Sequence, residues 1–485
     1  MGGIFGVCSR EECIMDLFFG TDYHSHLGTK RGGMAVFDGK HYTRAIHNIE
    51  NSPFRTKFEQ ELGEMTGNTG VGCISDSNPQ PIIMSSRLGT LAVVTVGRIN
   101  NKNELVSQMI SEGNAYFTEM SGGSVNDTEL VVSLICQKNC VAEGIKYAQS
   151  RIEGSMTMIV SADGGLYAAR DRLGRTPLSI GKSENGGYCA SLESFAYINL
   201  GFRPYKELGP GEVVFITAEK VQQVFEPQKE MKMCVFMWMY YGSSASDYEG
   251  RNAEEVRYKC GGSLALQEMS SGIDGNLDYV AGVPDSGTPH AIGYANKSHL
   301  PFARPLIKYT PTWPRSFTPK KQSIRSQIAR MKLIPISALI RDKRLLLVED
   351  SIVRGTQMMG LMDYLFGYGA KELHMRVACP PVMYNCKYLN FTGTGKKNEA
   401  ITRQTIMKLE GIESADTDLD DGLIAQYTNS KSDKYRNMVE EIRKTLNFTT
   451  LEYHNIQGML DCIGLDKCRL CTYCLDGECG CGSKK

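Results

Sequence analysis

Residues Arg344–Thr356 read R-L-L-L-V-E-D-S-I-V-R-G-T. Leu345–Val348 is an unbroken apolar run flanked by charge and too short for a helix, the pattern of a strand buried on both faces of a parallel sheet. The run stops at Glu349 and Asp350. Ser351–Thr356 form a compact polar loop, and Gln357–Gly369 carry apolar residues at helical spacing with Gly at the stop position. The unit is strand, loop, helix. A loop that opens a helix directs unpaired backbone N–H groups at one spot, where the Ser351 and Thr356 hydroxyls add donors, and such a spot suits a phosphate. Gly355 allows the backbone to approach closely. The two carboxylates upstream can accept hydrogen bonds from vicinal sugar hydroxyls, or lie beside a magnesium ion held mainly by a diphosphate. A ribose 5-phosphate satisfies both halves. An ordinary α/β connection would account for four such residues better than for thirteen.

This segment resembles the phosphoribosyl loop of type I phosphoribosyltransferases, and within them that of the glutamine phosphoribosylpyrophosphate amidotransferase (amidophosphoribosyltransferase) family, whose loop reads D-D-S-I-V-R-G-T. Here the first acid is Glu349. The resemblance implies that Glu349 and Asp350 are catalytic and contact the ribose and magnesium. It also implies that Ser351, Ile352, Val353, Arg354, Gly355 and Thr356 hold the 5-phosphate. D-Y-V-A-G-V-P-D-S-G (278–287) is a strand running into a second polar loop, similar to the family's pyrophosphate loop, with Asp285, Ser286 and Gly287 on the diphosphate. Ala253–Ser270, A-I-G-Y-A (291–295) and Leu373–Ala378 read as helix, helix and strand around it. Between the loops, Lys308–Leu333 carries many basic residues and no acidic one. A solvated basic surface explains such a run, but its position matches the family's lid over the diphosphate. Arg315, Ser316, Phe317, Pro319, Arg325 and Lys332 fall on the lid motif, and Arg325 and Lys332 are expected to be catalytic. A closed lid would exclude water from the reacting centre.

The 485 residues exceed one ordinary domain. Equal numbers of basic and acidic residues, 54 each, argue against a nucleic-acid or anionic-membrane partner. No apolar run is long enough to span a bilayer, and M-G-G-I-F-G-V reads as a strand rather than a signal peptide. A cytoplasmic protein is expected. Three parts are expected in an α/β chain: residues 1–230, 231–465 and a Cys-rich tail, 466–485.

Residues 1 to about 225 read as short strands punctuated by Gly, with helices over Asp127–Gln137 and Val141–Gln149, the pattern of two sheets between helix layers. K-R-G-G (30–33), Q-P (80–81), N-D-T-E (126–129), G-R-T-P-L-S-I-G (174–181), A-S-L-E-S (190–194) and L-G-P-G-E (208–212) resemble the class II glutamine amidotransferase domain, an Ntn-hydrolase-like α-β-β-α fold. The resemblance implies that a type I phosphoribosyltransferase domain, a parallel sheet with flanking helices, follows. In the class II family the residue after the initiating Met is a Cys whose thiolate attacks the glutamine amide while its α-amine acts as base. Here position 2 is Gly. The stretch that supplies the family's carboxylate-binding Arg reads G-C-I-S-D-S-N (72–78), and the H-N-G-N oxyanion element has become V-G-R-I-N (96–100). Asp127 keeps the position that grips the glutamine amine. Cys8 lies too far along the strand to substitute, and Cys73 is the remaining alternative nucleophile. Loss of glutaminase activity is expected, with ammonia as nitrogen donor.

Of sixteen cysteines, six lie in the last 24 residues, where C-x2-C-x2-C spans 468–474. Length and the missing signal favour reduced thiols, some of them metal ligands, over a disulfide framework. In iron–sulfur members of the family four cysteines hold a [4Fe-4S] cluster, and Cys234, Cys386, Cys471 and Cys474 match those positions; zinc and free thiols are the alternatives. The resemblance implies synthesis of 5-phosphoribosylamine and pyrophosphate from phosphoribosyl pyrophosphate, with magnesium, purine nucleotides as inhibitors, a homo-oligomer, and a separate glutaminase or amidotransferase paralogue as partner. A non-catalytic regulatory paralogue that binds phosphoribosyl pyrophosphate or nucleotides is the alternative.

Overall fold

Alternation along the Gly2–Ser9 strand builds the N-terminal half. Ile4 and Cys8 turn into a core between two sheets, while Phe5 and Val7 turn the other way, under the Ile14–Asp22 helix with its Leu17 and Phe18. The strand is central in a seven-stranded antiparallel sheet, paired on one side with Gly187–Ser191 and on the other with Thr69–Ser75. The six-stranded sheet facing it repeats the logic along Gly89–Ile99. Ala92, Val94 and Val96 face the sheet–sheet core, and Leu91 and Val93 pack under the Asp127–Ile135 and Val141–Arg151 helices. This is the expected α-β-β-α layering. The computed structural model describes residues 2–113, 116–118, 120–121, 123–269, 276–309, 333–389, 398–413 and 418–478.

The C-terminal half is organised on a four-stranded parallel sheet in the order Tyr279–Gly282, Arg344–Glu349, Glu372–Val377, Thr450–Tyr453. Leu345 and Leu347 pack with Leu361, Met362 and Leu365 of the Thr356–Gly367 helix. Leu346 and Val348 pack on the opposite face against Leu264, Ala291 and Tyr294, from the Ala253–Met269 and Gly287–Ser298 helices. Helices on both faces explain the uninterrupted apolar run. The Gly287–Ser298 helix begins four residues before the stretch read as helical, directly after the second polar loop. Met233–Cys234 and Leu470–Cys471 pair in parallel, fastening the tail to the body. Among the described residues no helix is long and apolar enough to cross a membrane.

Candidate active site

Parallel pairing places both polar loops at the carboxyl end of adjacent strands, because Gly282 is in register with Val348 and the Val283 N–H donates to the Val348 carbonyl at 3.0 Å. Ligands of open α/β sheets bind at this end. The loops touch: Ser286 Oγ donates to Glu349 Oε1 at 3.0 Å. Position 287 has to be glycine for this approach, since a Cβ there would lie 2.2 Å from the Val348 carbonyl oxygen. Glu349 and Asp350 are both buried, and their carbonyls accept from the Ala378 and Cys379 N–H groups at 2.8 and 2.9 Å, so the neighbouring strand fixes the pair. Ser351 Oγ turns back to Asp350 Oδ2 at 2.5 Å.

Gly355 caps the Thr356–Gly367 helix with φ +74°, a left-handed conformation that glycine adopts without strain. A Cβ there would also strike Ile401. Ile352 is buried and Val353 packs inward, so both offer only backbone to a ligand. The Val353 carbonyl accepts from Ile401 N–H at 2.8 Å, and exposed Arg354 pairs with Glu399 at 2.9 Å. Asp285 is paired with Lys308 at 2.6 Å. Arg325 and Lys332, with the rest of the lid motif, lie outside the described residues.

Burial pushes the Glu349 carboxyl well above the usual carboxylate range, and the adjoining Asp350 charge pushes it further. Like charges in a dry pocket repel, so the pair attracts cationic charge. Asp350 also acts on the buried Arg257 guanidinium, which donates to the carbonyls of Trp238 and Gly242, each at 2.7 Å. Sequence reading missed Arg257, which lies in an unremarkable charged helix.

In the N-terminal half Gly2 lies opposite Ser75, and a Cβ at position 2 would sit 2.3 Å from the Ile74 carbonyl oxygen. The backbone therefore has no room for a side chain unless it shifts. A cavity of about 70 Å³ remains, lined by Gly2, Ser75, Asn78, Asp127 and Leu389 among others. Asp127 is engaged by Lys102 at 2.6 Å, so its charge is paired within the chain. Burial raises the thiols of Cys8 and Cys73, and Cys73 Sγ is turned to the Gln80 carbonyl at 3.4 Å. Neither is a ready thiolate.

Cys234, Cys386, Cys471 and Cys474 are all buried and reduced. Cys234 and Cys471 are register partners, and Cys474 lies within electrostatic reach of Cys234 and Cys386. Cys386 Sγ accepts from the Leu389 and Tyr388 N–H groups at 3.2 and 3.5 Å, and the Phe236 and Met237 N–H groups point at Cys234. Four buried thiols from three segments, with N–H donors aimed at sulfur, suit a tetrathiolate centre. Among the described residues no three His, Cys, Asp or Glu side chains are already gathered as a metal site. A fifth buried thiol, Cys379, adjoins Cys474 and was not foreseen. Cys468 departs from the expectation of reduced thiols, being disulfide-bonded.

A glutamine amidotransferase domain family matches residues 71–195. The chain is 28% identical to the amidophosphoribosyltransferase of Methanothermobacter thermautotrophicus, covering 98% of this chain and 94% of that protein. The solved glutamine phosphoribosylpyrophosphate amidotransferase of Bacillus subtilis, complexed with ADP and GMP, superposes with a TM-score of 0.81 at 26% identity, covering 98% of this chain and 96% of that one. The Synechocystis amidophosphoribosyltransferase is 31% identical over 98% of this chain and 90% of its own length. Full-length kinship at that level, on a matching two-part architecture, means that the chain belongs to the amidophosphoribosyltransferase family of glycosyltransferases.

Proposed function

We propose that the protein forms 5-phosphoribosylamine and pyrophosphate from phosphoribosyl pyrophosphate in purine biosynthesis, with ammonia as the nitrogen donor. The observation that carries the transfer half is the Ser286–Glu349 hydrogen bond, which supports one pocket shared by the two anion loops. Asp285–Gly287 hold the diphosphate, Ser351–Thr356 the 5-phosphate, and Glu349 and Asp350 the ribose hydroxyls. Arg325 and Lys332 act from the lid. Magnesium, when bound to the diphosphate beside Glu349 and Asp350, supplies charge neutralisation. The C1–oxygen bond breaks with its electron pair leaving on pyrophosphate, the ammonia lone pair forms the C1–nitrogen bond, and a proton leaves the nitrogen for solvent. Positioning and charge provide the acceleration, with no covalent intermediate on the protein.

The donor assignment is supported by glycine at position 2, by the backbone crowding there and by the Lys102–Asp127 pair. Residues 1–230, 231–465 and 466–485 act as a disused amide domain, the transferase and a tail. Cys234, Cys386, Cys471 and Cys474 hold an iron–sulfur cluster that ties the tail down. Purine nucleotides inhibit, the chain works as a homo-oligomer in the cytoplasm, and a separate glutaminase or amidotransferase paralogue is the candidate supplier of ammonia.

The test is pyrophosphate release by the purified full chain, reconstituted anaerobically with iron and sulfide, given phosphoribosyl pyrophosphate with ammonium or with glutamine. Release with ammonium alone is expected, and Asp350→Asn should lower it by about 100-fold or more, roughly 3 kcal/mol of barrier. Glutamine-dependent release overturns the donor assignment. No release with either overturns the transfer reading in favour of a regulatory paralogue.

A further inference from the structure

The element that stands where the family has its oxyanion Asn is in use. Arg98 and Asn100, at the end of the Gly89–Ile99 strand, are two residues apart and so project to one side. Arg98 Nη1 donates to the Cys386 carbonyl at 3.0 Å and Asn100 Nδ2 donates to the Lys387 carbonyl at 2.9 Å, nearly three hundred positions away in the chain. Two successive carbonyls are thus gripped by one strand end. The Arg175 guanidinium lies 3.5 Å from the centroid of the Tyr388 ring, and Leu389 lines the cavity at Gly2. Residues 386 to 389 therefore each meet the N-terminal half, while Lys387 and Tyr388 also lie against the Tyr473 ring of the tail. On the other side of the same short segment, the Tyr388 and Leu389 N–H groups point at Cys386 Sγ. These N–H groups hold the Cys386 sulfur within electrostatic reach of Cys234 and Cys474. Cys234 is held from the same source, its N–H donating to the Arg175 carbonyl at 3.1 Å.

We propose that Arg98 and Asn100 are positioning residues that convert the disused amide site into a brace, fixing the Cys386 thiol against the neighbouring cysteines. This explains why a half-protein without its attacking group would still be needed: it sets the geometry of the thiol cluster on its partner half. The claim goes beyond the transfer reaction and does not require that the thiols hold iron, because it can be read on the thiol itself.

The experiment compares the wild-type full chain, metal-free and reduced, with Arg98→Ala/Asn100→Ala. Iodoacetamide labelling is followed site by site by mass spectrometry. Loss of the part-buried Arg98 bond together with the exposed Asn100 bond should speed alkylation of Cys386 by about tenfold or more. Cys73 and Cys189, buried in the N-terminal core, should react at their wild-type rates. Arg98→Lys, which can still donate to a carbonyl, should restore most of the protection, and Asn100→Ala alone should give a smaller rise, which keeps the test available if the double variant folds poorly. After reconstitution with iron and sulfide, the double variant should also lose iron to a chelator about tenfold faster. An unchanged Cys386 rate overturns the proposal. So does a rise shared equally by Cys73 and Cys189, which would signal general loosening rather than local positioning.

Discussion

Ser286 donates its hydroxyl to Glu349 at 3.0 Å, joining loops that are 63 residues apart in the chain. The Asp350 N–H reaches the same oxygen at 3.1 Å, so this carboxylate is oriented from both sides. Ser286→Ala removes one donor and leaves the fold intact. A hydrogen bond to a charged or partly charged group contributes about 1 kcal/mol or more. The KM for phosphoribosyl pyrophosphate should therefore rise by about fivefold or more, while the thermal transition moves little. An unchanged KM would mean that the contact does no orienting.

Glu349 makes stability depend on pH in a definite direction. Burial and Asp350 raise its pKa in the folded state, so the native protein holds this proton where the unfolded chain has released it. The associated stability is fully present below the ordinary glutamate range and is lost as pH climbs from that range through the raised folded value. Glu349→Gln is neutral throughout and escapes that loss. Without magnesium, the Tm of the variant should exceed wild type at pH 8 and the gap should close by pH 4. A gap of constant size would show that ionisation of Glu349 is not its source.

How much of this was legible in the sequence follows from whether a feature is contiguous. The Ser351–Thr356 loop could be read because strand, acids, glycine and helix follow one another along thirteen residues. The Thr69–Ser75 strand was missed because Gly70 and Gly72 interrupt its alternation, and the structure shows why: Leu17 and Thr21 of the Ile14–Asp22 helix press against those two positions. Lys102 sits in N-N-K-N, where any lysine reads as solvated, and only the fold carries it to Asp127. The brace from Arg98 to Cys386 is invisible for the same reason, since its partners are brought together by the packing of two halves.

Restoring a cysteine should not restore glutamine hydrolysis. A Cβ at position 2 meets the Ile74 carbonyl oxygen, a backbone atom that cannot swing aside, and Asp127 is already ion-paired with Lys102. Gly2→Cys should give no glutamine-dependent glutamate release, and its Tm should fall because the strand has to move by a few tenths of an ångström or more; overpacking of this kind costs about 1–3 kcal/mol. Adding Lys102→Ala frees Asp127 but leaves the crowding, so the double variant should also remain inactive. Glutamate release by Gly2→Cys alone would show that the site is only one side chain short of function.

The cysteine panel separates ligand from bystander. Cys234, Cys386, Cys471 and Cys474 are the proposed ligands, whereas Cys379 is also buried beside Cys474 but lies outside that set. Burial raises the Cys379 thiol as it raises those of Cys234 and Cys474, but Cys379 alone of the three also faces the Asp350 charge, which further opposes the thiolate a metal needs. Cys379→Ser should therefore keep wild-type iron content after anaerobic reconstitution, measured per chain together with the visible absorption of the cluster. Each of Cys234→Ser, Cys386→Ser, Cys471→Ser and Cys474→Ser should lose most of it, with a drop in Tm because the tail is no longer fastened. Zinc taken up in place of iron by the wild type would leave the same four thiols as ligands but remove the visible absorption. Iron lost in Cys379→Ser and kept in Cys471→Ser would move the ligand set away from the paired strands of the tail and onto the acid pair's own neighbour.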